Sequence, residues 1–202
     1  HRAILEPKGA GFAEKDGWNL LASDDGWVGP VDAQVGPDGA VWVADWYNFI
    51  IQHNPTPPGF ETGKGNAYVN PLRDHQRGRI YRIVYEGAPA APRMTLSKDR
   101  PAELVRALRN DNLFWRLTAQ RLLVERGQID VVPQLIELVR DRSVDAIGLN
   151  PGALHALWTL QGLKQLDGSN RSATDAAVTA LRHPSAAVRK AAVQVLPANT
   201  TT

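Results

Sequence analysis

Apolar and polar positions follow two different rhythms along this chain. In the first half they alternate. Val41, Val43 and Asp45 interleave with Trp42 and Ala44, the period of two that places one set on each face of a β-strand. In the second half they recur every three to four residues. Leu104, Leu108, Leu117, Ala119 and Leu122 fall at helical spacing, as do Val132, Leu135, Ile136 and Val139. The patterns predict strands over 2–6, 18–22, 31–35, 40–45 and 79–85. They predict helices over 101–109, 112–126, 130–140, 151–163, 173–182 and 185–196. Asn110 or Asp111 offers a cap between the first two helices, and Pro184 suits the start of the sixth. Gly36-Pro37-Asp38-Gly39 predicts a tight hairpin turn, because proline presets φ and glycine tolerates positive φ.

The helical half also repeats. Leu108-Arg109 recurs as Leu181-Arg182, 73 residues on (181 − 108), and Arg116 and Ala119 recur as Arg189 and Ala192 at the same offset. Ala156 falls between the two alanines. The result is three helical pairs of about 37 residues each, within the range for stacked helical hairpins. A single pair cannot bury its apolar face, so stacking must make the core.

Composition sharpens the division. Of the aromatic residues, only Phe114, Trp115 and Trp158 lie beyond residue 87. Residues 1–86 hold 8 Lys and Arg against 11 Asp and Glu, and residues 87–202 hold 15 against 10, giving −3 and +5. The reading is an α+β segregated chain: a β-segment over 1–86, a Pro/Gly/Ala-rich linker over 87–98, helical repeats over 99–197 and a tail over 198–202. The net charge of +2 implies no strong pull toward nucleic acid or membrane, and no apolar run reaches the length of a membrane span. The absence of cysteine excludes disulfides, thiolate chemistry and covalent haem attachment within this segment. The chain begins with His1 and shows no signal peptide, and it reads as a piece of a longer protein.

The chemistry-bearing residues concentrate between Val31 and Ile80. The strand ending at Asp45 delivers a carboxylate, two aromatics and an amide into a long loop rich in Pro, Gly and Asn. Asp45 and Asn48 offer hard oxygen ligands for a cation. His53 or His75 could serve as a general base oriented by Asp74. Arg77 or Arg79 could hold an anionic cofactor carboxylate in bidentate fashion. The competing reading is structural: Asp and His at blade edges tie hairpins together, and Arg79 and Arg82 pair with neighbouring acids. Arg116 and Arg189 read as tethers between repeats, and His155 as a packed helix residue.

Two resemblances follow from these motifs. Leu108-Arg109-Asn110-Asp111 leading to Trp115-Arg116 and Ala119, and Leu181-Arg182-His183-Pro184 leading to Val188-Arg189-Lys190-Ala191-Ala192, resemble HEAT repeats; the middle pair has Ala153 where the arginine would fall. Gly29-Pro30-Val31-Asp32, Gly36-Pro37-Asp38-Gly39, Val43-Ala44-Asp45-Trp46-Tyr47-Asn48, His53, Arg73-Asp74-His75 and Gly78-Arg79-Ile80-Tyr81-Arg82-Ile83 resemble the closing part of a β-propeller. Its likeness is to large exported proteins of planctomycete-type bacteria similar to quinoprotein glucose/sorbosone dehydrogenases. The resemblance implies a partial propeller followed by a HEAT-like solenoid, in a periplasmic or secreted parent protein. It implies oxidation of a sugar or other alcohol, with pyrroloquinoline quinone and calcium in the parent and haem c only outside this segment. The implied roles are catalytic for His53, Asp74 and His75, cofactor-binding for Arg77 and Arg79, and metal-binding for Asp45 and Asn48. The rival expectation is a non-catalytic scaffold whose helical repeats bind a protein partner.

Overall fold

Five strands precede six helices. The computed structural model describes residues 1–9, 11–49, 58–59, 76–87, 89 and 93–197. Strands β1 (Ala3–Lys8) and β2 (Gly11–Asp16) form one antiparallel sheet, and β3 (Pro30–Val35), β4 (Val41–Asp45) and β5 (Arg79–Ile83) form another in the order β3-β4-β5. Helices α1 (Pro101–Ala107), α2 (Leu113–Arg126), α3 (Val132–Arg140), α4 (Pro151–Gly162), α5 (Arg171–Ala180) and α6 (Ala186–Val195) follow, with a 3-10 turn at Ile129–Val131 before α3. Spatially, residues 1–18 group with 93–202, and residues 19–92 form a second unit.

One expected strand is absent. Residues 18–22 are irregular, and the strand lies earlier, at Gly11–Asp16. Gly9 at φ 60° turns the chain sharply enough for Lys8 to pair with Gly11, so β2 folds back along β1 through to Ala3 opposite Asp16. Local turn geometry, rather than the aromaticity of Trp18, sets the pairing. Both strands are almost wholly exposed, and the hairpin tip lies beside the 147–149 turn and the start of α6 around a cavity of about 310 Å³.

The six helices match the expected positions to within two residues at most ends. Asparagine caps three of them. The side-chain oxygens of Asn112, Asn150 and Asn170 accept from the N–H groups of Phe114, Ala153 and Ala173. The cap of α2 is therefore Asn112; Asn110 sits one step back and accepts from the Asn112 N–H. Pro184 stands just before the α6 cap, Ser185, rather than inside the helix. Gly127, at φ 68°, ends α2 in the left-handed region open to glycine.

The pairs α1–α2, α3–α4 and α5–α6 pack internally, and α2–α4, α4–α6 and α3–α5 pack across pairs. The core between them includes Leu104, Leu108, Leu123, Leu135, Leu157, Leu160 and Val188, all but inaccessible to solvent. Each contributes about 1.5–3 kcal/mol by leaving water.

Directional bonds stitch the turn side of the pairs. Arg116 Nη1 donates to the carbonyls of Asn110 and Asp111, and Arg189 Nη1 does the same, 73 residues on, for His183 and Pro184. In the middle pair, Asn150 Nδ2 donates to the carbonyls of Asp141 and Ser143 instead. The arginine missing at Ala153 is thus replaced by an amide from the helix cap. Between pairs, Arg109 binds the Asp141 carboxylate at 2.9 Å, His183 Nε2 donates to the Asp141 carbonyl at 2.7 Å, and Arg142 donates to the Arg182 carbonyl. The Arg116 Nε also reaches His155 Nε2 at 3.3 Å, so Arg116 links two pairs while Arg189 braces its own turn.

Candidate functional site

The second unit carries the residues singled out for chemistry. Its central strand, β4, pairs with β3 from Pro30 opposite Asp45 to Val35 opposite Val41, with a bulge at Val31 that shifts the register between Pro30 and Asp32. On the other side Asp45 stands opposite Arg79 and Val41 opposite Ile83. The turn before β4 is built as expected: the Gly39 N–H bonds the Gly36 carbonyl, with Gly39 at φ 77°. Asp38, in that turn, accepts from Ala40 N–H and Trp42 Nε1 with one oxygen and from Arg82 Nε at 2.6 Å with the other. The Arg82 bond, more than any other contact, holds the Asp38 carboxyl below its ordinary value. Asp38 was not among the candidate residues; its signal was an acid inside a turn with a cation 44 residues away on a paired strand.

Asp45 ends β4 with 3% of its surface exposed. One carboxylate oxygen accepts from the Gly29 N–H at 2.8 Å and the Tyr47 N–H at 2.9 Å, while the Trp46 N–H bonds the Gly29 carbonyl. This carboxylate locks the start of β3 to the turn after β4. Its other oxygen, Oδ2, is buried without a hydrogen-bond partner. Asn48, three residues on, is equally buried. Tyr47 adopts φ 52°, a left-handed backbone that costs a non-glycine residue about 1–2 kcal/mol. The Asp45 bond to its N–H and the stacking of its ring offset that cost.

Arg79 supplies the stacking. Its guanidinium lies 3.4 Å from the Tyr47 ring centroid, donates to the Tyr81 hydroxyl at 3.0 Å and sits 3.6 Å from the Asp25 carboxylate. The Tyr81 bond, with Tyr47 and Asp25 close by, keeps it more firmly protonated than usual. Trp27 approaches Tyr47 and Phe49 with ring centroids 5.8 and 6.1 Å away, completing an aromatic wall.

The structure thus brings together Asp45, Asn48 and Arg79, adding Tyr47, Tyr81, Asp25 and Trp27. Arg77 is exposed just ahead of β5. His53, Asp74 and His75 lie outside the described residues. For a hard cation, Asp45 Oδ2 is a donor of the right kind, and Asn48 adds an amide at the same end of the strand. Calcium takes six to eight oxygens. Among the described residues the one grouping of three or more metal-ligating side chains is His1, Glu14 and Asp16, all exposed and away from Asp45. Asp45 therefore fits as one ligand of a set completed elsewhere. The Arg79 guanidinium is engaged within its own sheet and does not fit the role of a cofactor clamp.

Residues 1–87 match the family model described as a domain of unknown function (DUF7133). No curated protein and no solved structure matches the chain. Among the described residues, no helix is long and apolar enough to cross a membrane.

Proposed function

We propose that the chain is a segment of an exported, quinoprotein-like dehydrogenase that oxidises a sugar or other alcohol. In this reading residues 19–92 contribute part of a β-propeller, and the six helices stack behind it as HEAT-like repeats. The observation that carries it is Asp45: a carboxylate at the end of a central strand, held by two backbone N–H groups, with its second oxygen buried and unpaired. A buried, unsatisfied anionic oxygen is costly unless a cation or proton donor completes it. Calcium with pyrroloquinoline quinone, when bound in the parent protein, supplies the electron acceptor. Asp45 and Asn48 offer oxygens to the cation, and His53 or His75, oriented by Asp74, takes the alcohol proton. Arg79 acts through Tyr47, holding the turn that presents Asp45 and Asn48. Electrons leave to a haem outside this segment.

The test uses the full-length parent protein, loaded with pyrroloquinoline quinone and calcium, and follows dye reduction with a panel of sugars and alcohols. Reduction by at least one substrate, lost in Asp45→Ala and His75→Ala, is the expected result. No reduction by any substrate, or variants equal to the parent, overturns the reading.

A second reading, a non-catalytic binding scaffold, is favoured by a different observation. Val31 and Val35 on β3 and Ile80 on β5 are exposed along the two edge strands. Edge strands of this kind accept another strand. A parent protein that lacks a Cys-x-x-Cys-His module and carries adhesion modules or more repeats instead supports the scaffold.

A further inference from the structure

The 73-residue internal repeat allows the two outer helical pairs to be compared position by position. In the first pair, Val105 and Leu108 are 7% and 0% exposed, because the 3-10 turn and the second pair cover them. Their equivalents in the third pair, Val178 and Leu181, are 40% and 38% exposed. Gln120 of α2 bonds His155 of the next pair; its equivalent, Val193, is 67% exposed. Arg109 pairs with Asp141, the acid at the start of the next pair's turn; its equivalent, Arg182, is exposed, and its side chain bonds to none of the described residues. The inner side of α5 and α6, by contrast, is closed by Ala173, Ala176, Ala177, Val188 and Ala192. A pair that ends a stack presents a polar outer face. This one presents valine, leucine, valine and an arginine at the positions where the first pair meets its successor.

We propose that α5 and α6 form an interface for a further helical pair of the same stack, seated as α3 and α4 sit on α1 and α2. Its inner face is apolar opposite Val178, Leu181 and Val193, and it carries a carboxylate in its turn to meet Arg182. The inference is independent of the redox reading, because it concerns only the helices.

The test extends the full chain with its own successor pair. A copy of residues 127–163 is placed after Asn199, which stands where Arg126 stands in the first pair (126 + 73). A second extension, residues 127–197, brings the appended pair its own native neighbour in case the shorter one does not fold. Hydrogen exchange of α5 and α6 amides should slow at least tenfold in one or both, with a raised melting midpoint. Val193→Asp and Arg182→Glu should leave the parent melting curve nearly unchanged, yet lower that of the extended chain toward the parent. Unchanged exchange in both extensions overturns the proposal, as do substitutions that cost the same with and without the added pair. It is also overturned if the parent chain forms a dimer that Val193→Asp dissociates, since a second copy would then occupy the face.

Discussion

Lowering the pH should loosen the helical pairs through one imidazole. His155 sits on α4 at 5% exposure, with Nδ1 2.7 Å from Gln120 Oε1 and Nε2 facing the Arg116 Nε–H at 3.3 Å. The contacts define the tautomer: Nδ1–H donates to Gln120, and Nε2 accepts from Arg116. Burial first, and then the Arg116 charge, push its pKa down to about 4 from the ordinary 6.5. Protonation would put a second positive charge against the guanidinium and two N–H groups face to face. The folded pKa lies below the unfolded one, and the neutral base is the favoured folded form. The stabilisation is therefore complete above about pH 6.5 and drains away as the pH falls toward 4. The span of about 2.5 pH units corresponds to at most about 3.4 kcal/mol at 1.36 kcal/mol per unit. Partial solvent access reduces the expected figure to about 2–3 kcal/mol. The assay is urea unfolding followed by helical circular dichroism at steps from pH 7.5 to 4, for the parent and His155→Gln. Asp130, Asp141, Asp167 and Glu125, all held below their ordinary values, also lose stabilisation in acid, but in both proteins alike. The difference between the two curves isolates the histidine. Parallel curves, or an NMR titration of the His155 ring with a midpoint near 6.5, would refute the reasoning.

Three further outcomes are expected. Asp45→Ala strands the Gly29 and Tyr47 N–H groups and should cost about 2–4 kcal/mol in denaturant unfolding followed by tryptophan fluorescence; a loss under about 0.5 would remove the locking role of Asp45. Arg189→Met releases the His183 and Pro184 carbonyls and should cost about 1–2 kcal/mol. Arg116→Met, which also frees His155, should cost more, and the reverse order in thermal melts would contradict the assigned links. An alanine at Gly162 would put Cβ 2.6 Å from Val124 Cγ2 and 3.2 Å from Cγ1, on a valine with little rotamer freedom. Overpacking of about 1–3 kcal/mol should outweigh a helix-propensity gain of up to about 1 kcal/mol, so Gly162→Ala should lower the melting midpoint; a rise would show that α2 and α4 can separate.

The helices were legible because their signals are local. Apolar spacing, Pro101, Pro151 and the asparagine caps all lie within a turn of the structure they specify. The arginine brace was legible in part: the 73-residue recurrence marked Arg116 and Arg189, but their acceptors are turn carbonyls, which carry no residue signature. The substitution of Asn150 for the missing arginine could not be read from a pattern aligned on position 153. The β-segment was harder. Gly11–Asp16 holds one large apolar residue, Phe12, and becomes a strand only by folding back past Gly9. At the candidate site, the oxygen chemistry of Asp45 and Asn48 was visible from residue type. The burial of Asp45 depends on Gly29, 16 residues earlier, and the commitment of Arg79 to Tyr47 depends on β4–β5 register; both are products of tertiary pairing. The expected roles of His53, Asp74 and His75 remain proposals about residues beyond those described.

The two ends of each helical layer are joined by unlike means. At one end the backbone itself passes from α2 to α3 and from α4 to α5. At the other, only Arg109–Asp141, His183–Asp141 and Arg142–Arg182 span adjacent pairs. The assembly behaves as leaves on a covalent spine, fastened along the opposite margin by non-covalent clasps. A pull that fans the leaves should open the clasped margin first, and Asp141, gripped by two neighbours at once, is the fastening whose removal would let both gaps widen together.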